Sequence, residues 1–248
     1  EDPEDAATRH YLLARAHLLL GNPGLALEEI LQALALEEES GHKAYGTPLV
    51  AGQALLQLGR YEEAMASFRE ALARADAGER PHVLHEMGVA ALDHGAYPEA
   101  EEHLRALVRE EGYPYLAQAY ADLAEALYRQ GRYQEAEAAA REAVARGAVA
   151  AGELVLGHVA YDLLHLEEAL EHYRKAAESA EEGSREWVGA QEMVVDTLAQ
   201  LGYRFPEEMV RRGQAVLPYL HPADEWHAAL TAYVERAQAL LREGKRLN

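Results

Sequence analysis

AYGTPLVAGQALLQLGRYEEAMASFREALARAD, residues 44–76, is the stretch that decides the fold. An apolar helical run breaks at Leu58-Gly59-Arg60, and a second helical run opens with Tyr61-Glu62-Glu63-Ala64. The phrase returns as Gly95-Ala96-Tyr97-Pro98-Glu99-Ala100, as Gly131-Arg132-Tyr133-Gln134-Glu135-Ala136 and as Leu164-His165-Leu166-Glu167-Glu168-Ala169. The apolar residues are rich in Ala and Leu, which lose little freedom in a helix. No segment alternates with period two over a useful length, so no strand is predicted. A chain that repeats one helical hairpin carries its function on a surface, not behind a single motif.

Working outward, the same reading covers the whole chain. The acidic residues 1–5 are expected to fray. Helical hairpins are predicted over roughly 6–39, 44–76, 80–111, 114–146, 148–182 and 184–220, with a capping helix over 223–242. Gly21-Asn22-Pro23-Gly24, Ala77-Gly78, Glu111-Gly112-Tyr113-Pro114 and Glu182-Gly183-Ser184 supply the breaks. Leu201-Gly202-Tyr203-Arg204-Phe205-Pro206 is a longer turn. The chain is read as one repeat domain, 1–248.

The composition excludes several classes. There is no cysteine, so disulfides and thiolate metal sites are absent. No stretch approaches the roughly 18 consecutive apolar residues of a membrane span. Net charge is −20, the opposite of a nucleic-acid footprint. Residues 204–248 hold seven Lys or Arg (Arg204, Arg211, Arg212, Arg236, Arg242, Lys245 and Arg246) against six acids, so the acidity lies in residues 1–203. It reads either as a solvated surface or as an acidic groove steering a basic partner. The chain opens Glu1-Asp2-Pro3 without methionine or a basic-then-apolar leader, and is expected to be an excised or processed piece. A cytoplasmic location is expected.

The repeat can be measured on the alanine of each second helix. Ala26, Ala64, Ala100, Ala136 and Ala169 follow one another by 38, 36, 36 and 33 residues. Periods near 34 with a helix–turn–helix unit resemble tetratricopeptide repeats. Gly52, Gly59, Tyr61, Ala64, Phe68 and Ala71 stand at that family's small, turn, aromatic, small, aromatic and small positions. Gly88, Gly95, Tyr97 and Ala100 do so in the third hairpin; Ala124, Gly131, Tyr133, Ala136 and Ala143 in the fourth. Gly157, Ala169, Tyr173 and Ala176 follow in the fifth, where Leu164 replaces the turn glycine. The first keeps Ala14, Gly21, Ala26 and Ala33; the sixth departs, with Met209 in place of alanine. The resemblance implies an all-α, right-handed superhelical solenoid. By this reading Gly52 faces Ala64 and Gly88 faces Ala100, while Phe68 and Tyr173 fill the space between neighbouring hairpins.

The resemblance also implies where binding occurs. In this family the first helix of each hairpin lines the concave groove. That register puts Tyr11, Arg15, Leu49, Gln53, His82, His85, Glu86 and Val89 on the inner surface, then Ala121, Glu125, Tyr128, Leu154, His158 and Tyr161. Many members clamp a peptide's terminal carboxylate with Lys, Asn and Arg. Leu49, Gln53, His85, Val89 and Ala121 stand there instead, so an apolar or basic peptide, or a helix, is the expected partner. The implied function is a protein–protein interaction scaffold or adaptor. The alternative is a regulatory or homo-oligomerisation module of a larger signalling or transcription-regulator protein. For that reading, Trp226, Leu230 and Tyr233 form an apolar stripe that could be an oligomer face, and the chain is expected to be a monomer or homodimer.

Enzyme signals are poor. No phosphate-binding glycine loop and no Gly-Xaa-Ser-Xaa-Gly elbow occurs. His82, His85 and Glu86 can crowd one helical face, yet no fourth ligand and no HExxH accompanies them, so they read as groove histidines. No cofactor and no metal is expected. Tyr61, Tyr97 and Tyr133 recur at one repeat position and read as packing residues.

Overall fold

The computed structural model describes residues 2–247, and for residues 245–247 the backbone alone. Glu1 of the acidic lead, and the side chains of Lys245 and Arg246 in the basic tail, lie outside the described residues. Two compact units are distinguished, residues 1–113 and 114–248. The first holds α1 (Pro3–Leu19), α2 (Pro23–Ser40), α3 (Gly46–Gln57), α4 (Tyr61–Arg74), α5 (Arg80–His94) and α6 (Tyr97–Leu107). The second holds α7 (Leu116–Arg129), α8 (Tyr133–Ala145), α9 (Val149–Asp162), α10 (Leu166–Ser179), α11 (Arg185–Gln200), α12 (Pro206–Val216) and α13 (Glu225–Leu247). A short 3-10 turn, Leu217–Tyr219, follows α12. No strand occurs among the described residues.

Two ends differ from expectation. Residues 3–5 do not fray: Asp2 accepts the amide of Glu4 and Pro3 occupies the first turn, where its missing N–H costs nothing. The last helix runs to Leu247. Its lone Gly244 costs only about 1 kcal/mol relative to alanine and does not stop it.

Within each unit, consecutive helices pack as antiparallel hairpins, and successive hairpins stack. First helices of neighbouring hairpins also touch, α1 on α3 in the first unit and α7, α9, α11 and α13 in sequence in the second. They form an inner layer, with the second helices behind.

One turn chemistry closes every hairpin. Gly21, Gly59, Gly95, Gly131, Leu164 and Gly202 all adopt positive φ after the first helix. The next residue then donates its N–H to the carbonyl five residues back, as in Arg60 to Leu55 at 2.9 Å and His165 to Ala160 at 2.9 Å. This satisfies a helix-end carbonyl that would otherwise be orphaned. Leu164 stands in the glycine's place with φ 62° and is exposed. The longer sixth turn adds two more left-handed residues, Tyr203 and Phe205.

The spacing device differs in one respect from the sequence reading. A Cβ on Gly52 would lie 2.5 Å from the ring of Phe68, not against Ala64. A Cβ on Gly88 would lie 2.7 Å from Leu104, not against Ala100. One on Gly157 would meet the Tyr173 ring at 2.5 Å. The glycine therefore makes room for a large side chain sixteen residues on, within its own hairpin. Phe68, Leu104 and Tyr173 are fully buried there. Burying each such side chain contributes about 1.5–3 kcal/mol. In the first and fourth hairpins Ala14 and Ala124 take the glycine's place, with Ile30 and Ala140 sixteen residues on and fully buried.

The sixth hairpin reverses the arrangement. Val195 stands at the glycine position, seven residues before the turn residue Gly202, and Gly213 stands where Phe68 does, four residues after Met209. Val195 is fully buried. A Cβ on Gly213 would overlap Val234 of α13 and touch Val195. The room left by Gly213 is thus filled by the following helix. Leu230 and Ala237 of α13 complete a core with Val194, Val195, Leu198, Met209 and Val216.

Candidate functional site

In the second unit the inner layer carries a cleft of about 530 Å³ lined by Tyr128, Arg129, Gly131, Tyr133, His158, Tyr161, Asp162, Tyr173 and Met193. Tyr128 and Arg129 project from the C-terminal end of α7, and His158, Tyr161 and Asp162 from that of α9. Tyr133 opens α8 directly after the glycine turn. The helical hairpin thus brings its inner helix end and its turn to one place.

The rings form a continuous array. Tyr128 stacks with His158 at 5.5 Å between centroids and with Tyr133 at 6.0 Å. His158 meets the edge of Tyr173 at 5.4 Å, and its Nδ1 lies 2.9 Å from the Tyr173 hydroxyl. Burial pushes the His158 imidazole below its ordinary value, so the ring is neutral at pH 7.

Carboxylates of the next hairpin collect the hydroxyls. Tyr133 donates to Asp162 at 3.0 Å, and the charge of the same carboxylate bears on the Tyr128 phenol. Tyr161 donates to Asp196 of α11 at 2.5 Å, and Tyr233 of α13 reaches the other Asp196 oxygen at 3.2 Å. Burial, followed by the Asp162 charge, pushes the Tyr128 phenol up; burial, followed by the bond to Asp196, does the same for Tyr161. Both remain protonated donors at neutral pH. Asp196 itself is buried. These bonds clasp α8 to α9, α9 to α11 and α11 to α13.

The sequence analysis placed Tyr128, His158 and Tyr161 on the groove, and the structure brings these three together. Glu125 sits one turn before Tyr128 and bonds Arg129 at 2.7 Å. Leu154 is partly buried and packs against the core of the unit. Ala121 is a correction: it is buried in the core and presents no surface. Sequence reasoning missed Asp162, Asp196, Tyr133 and Tyr173. Tyr133 and Tyr173 were read as packing residues, whereas both also line the cleft. The acids were lost among 43 carboxylates. One signal was available: Asp162 follows Tyr128 by 34 residues and Asp196 follows Tyr161 by 35, close to one repeat in each case.

In the first unit the inner residues form smaller groups. Gln53 of α3 donates to Glu86 of α5 at 3.3 Å. His85 pairs its Nδ1 with the Tyr113 hydroxyl at 2.9 Å. His82 and Val89 are exposed. Arg15 lies over the Tyr11 ring at 5.8 Å. Leu49 is a second correction, being buried. Among the described residues no group of three or more His, Cys, Asp or Glu is placed to hold a metal ion. A separate cavity of about 450 Å³ includes Tyr11, Glu37, Thr47 and Arg74 in its lining. There Arg74 and Glu37 form a buried ion pair at 2.7 Å, and Thr47 donates to the same carboxylate.

On α13 the apolar stripe turns inward. Leu230 is fully buried and Tyr233 is engaged with Asp196, so of the three residues considered for an oligomer face Trp226 alone is largely exposed.

The arrangement is that of an all-helical hairpin array with an inner layer of first helices. The chain belongs to the tetratricopeptide repeat family, whose models match residues 3–32, 49–77 and 85–151. Proteins built this way generally serve as non-catalytic scaffolds for protein–protein contact. No curated protein matches the chain by sequence. Among solved structures it is similar to PilF of Pseudomonas aeruginosa, at 15% identity with TM-score 0.70, covering 94% of this chain and 99% of that one. It is similar to PilW, a type IV pilus biogenesis factor, at 17% identity with TM-score 0.66, covering 91% and 98%. It is similar to MamA from Desulfovibrio magneticus RS-1, at 23% identity with TM-score 0.61, covering 71% and 95%. These likenesses describe the fold. No helix among the described residues is long and apolar enough to cross a membrane.

Proposed function

We propose that the chain is an adaptor that holds a peptide, or an extended segment of a partner protein, along the inner face of its first helices. The observation that carries this reading is the cleft in the second unit. Three inner-helix residues, Tyr128, His158 and Tyr161, line one recess beside the tyrosine of the adjoining turn. Aromatic rings give large contact area at little cost in side-chain entropy, which suits a recognition surface. The clasps through Asp162 and Asp196 fix those rings before a partner arrives, which lowers the ordering cost of binding.

The partner favoured is basic or apolar. Net charge is −20, and Leu49, Gln53, His85, Val89 and Ala121 do not provide a carboxylate clamp. Fluorescence anisotropy with labelled basic, apolar and acidic peptides tests the reading. Basic or apolar peptides are expected to bind, and binding is expected to fall when Tyr128, His158 and Tyr161 are replaced by alanine. Preference for the acidic set, or indifference to the triple change, would sink it.

A further inference from the structure

We propose that the tyrosine cleft of the second unit is an anchor for one arginine side chain, the guanidinium packing against the aromatic lining of the cleft and donating to Asp162. This rests on the groove reading above and names the group that the cleft takes.

The argument begins with who holds the protons. The hydroxyl of Tyr133 is spent on Asp162, and that of Tyr161 on Asp196. His158 Nδ1 is paired with the Tyr173 hydroxyl. The rim therefore presents phenolic and carboxylate lone pairs but few free donors. An ionised carboxylate has about four acceptor sites, so Asp162 has capacity beyond its bond from Tyr133. Asp162 is also exposed, so its free lone pairs are within reach of a ligand.

Charge points the same way. On the lining itself Asp162 stands against the single guanidinium of Arg129, while Glu125 and Asp196, outside the lining, add negative charge as the partners of Arg129 and Tyr161. Arg129 is engaged with Glu125 at 2.7 Å. Neither aspartate has a Lys or Arg partner among the described residues. The neutral His158 adds a π face without adding a positive charge.

An acceptor-rich, donor-poor, aromatic and net negative recess is complementary to a planar cation that carries many donors. The guanidinium is that group: it stacks on aromatic faces and offers five N–H donors, whereas an ammonium offers a compact point charge. Met193 on the same lining gives an apolar contact for the aliphatic stem of the ligand.

The test uses the full chain with labelled Tyr and His rings, followed by NMR. The probes are N-acetylarginine amide and N-acetylcitrulline amide, which share a shape and differ in charge. The arginine probe is expected to shift the Tyr128, Tyr133 and His158 ring signals saturably, with the citrulline probe about tenfold weaker or worse. Asp162→Asn is expected to weaken the arginine probe about fivefold while the circular dichroism spectrum stays unchanged. Equal binding of the two probes, or insensitivity to Asp162→Asn, overturns the anchor. A parallel set of longer peptides separates this from the groove reading. Peptides that bind equally with arginine or citrulline overturn the anchor and leave the groove standing. Saturable binding of the arginine probe, with no gain in affinity from a longer peptide, supports the anchor and overturns the groove.

Discussion

The second and the sixth hairpins solve one packing problem in opposite ways. In the second, the first helix supplies the gap at Gly52 and the second helix fills it with Phe68. In the sixth, the second helix supplies the gap at Gly213, and Val234 of the following helix fills it. The first arrangement closes a hairpin upon itself. The other leaves the hairpin open until α13 arrives, which makes α13 an obligatory part of the core and not an appended tail. The change moves the gap from the hairpin's inside to its outer side, where the following helix packs.

Pairwise substitution gives the largest expected effect and would break this comparison directly. Gly52→Ala and Gly213→Ala each place a methyl well inside contact distance of a neighbour. Each is expected to lower stability by about 1–3 kcal/mol, after allowing for alanine's better helix propensity. Rescue distinguishes them. Phe68→Leu should recover part of the loss in the first background only, and Val234→Ala in the second only, with coupling energies of about 1 kcal/mol in denaturant titrations. If Val234→Ala gave no coupling with Gly213→Ala, the claim that α13 fills that gap would fail.

The two hairpins also show what a sequence tells and what it withholds. The distance of twelve residues between Gly52 and Ala64 recurs from Ala14 to Ala26, from Gly88 to Ala100 and from Gly157 to Ala169, and the longer sixth turn stretches it to fourteen, from Val195 to Met209. Periodicity therefore identified the fold and all six hairpins, because each must bury an apolar face against a neighbour of the same build. It did not identify which small residue meets which large one. Gly52 lies as close in sequence logic to Ala64 as to Phe68, and only geometry separates them. The groove divides likewise. Tyr128, His158 and Tyr161 were legible from helix register, since one face of each first helix must look inward. Leu49 and Ala121 were misplaced by the same register, because small shifts in helix rotation turn a border position into core. Asp162 and Asp196 were illegible as individuals. An acid bonded to two tyrosines looks in sequence like any solvated acid.

The two helices of the sixth hairpin also differ from each other electrostatically. On α12, burial alone would raise Glu208, but hydrogen bonds from Arg174 and Arg212 outweigh it and hold the carboxyl below its ordinary 4.5. On α11, Glu192 is half-buried, and burial followed by the charge of Asp224 pushes it up to about 7. The two carry opposite signs of pH dependence. Glu208 contributes stability above pH 4.5 that is lost as pH falls through its lowered value. The folded state instead holds the Glu192 proton more tightly than the unfolded chain. That contribution is complete below pH 4.5 and is lost as pH rises through about 7. Glu192→Gln should therefore stabilise the protein at pH 8, by about 1 kcal/mol once solvent screening of a half-exposed group is allowed for. At pH 4 it should change little. Denaturant titrations at the two pH values check the sign, and a larger gain at pH 4 would contradict it.

The smallest expected effect sharpens the comparison at the turns. Gly59 closes the second hairpin and Leu164 the fifth, in the same left-handed conformation and with the same backbone bond five residues back. Glycine adopts that conformation freely, whereas a residue with a Cβ is strained by about 1–2 kcal/mol. Leu164 recovers little of this by burial, since it is 79% exposed. Part of the strain is offset in the unfolded state, where glycine has more freedom to lose. Leu164→Gly is thus expected to raise stability by about 0.5–1 kcal/mol, read as a higher denaturation midpoint with unchanged slope. Gly59→Leu should do the reverse, by a similar or greater amount. If Leu164→Gly instead destabilised the chain, the exposed leucine would have to contribute packing that its turn geometry does not show, and the two turns would not be equivalent.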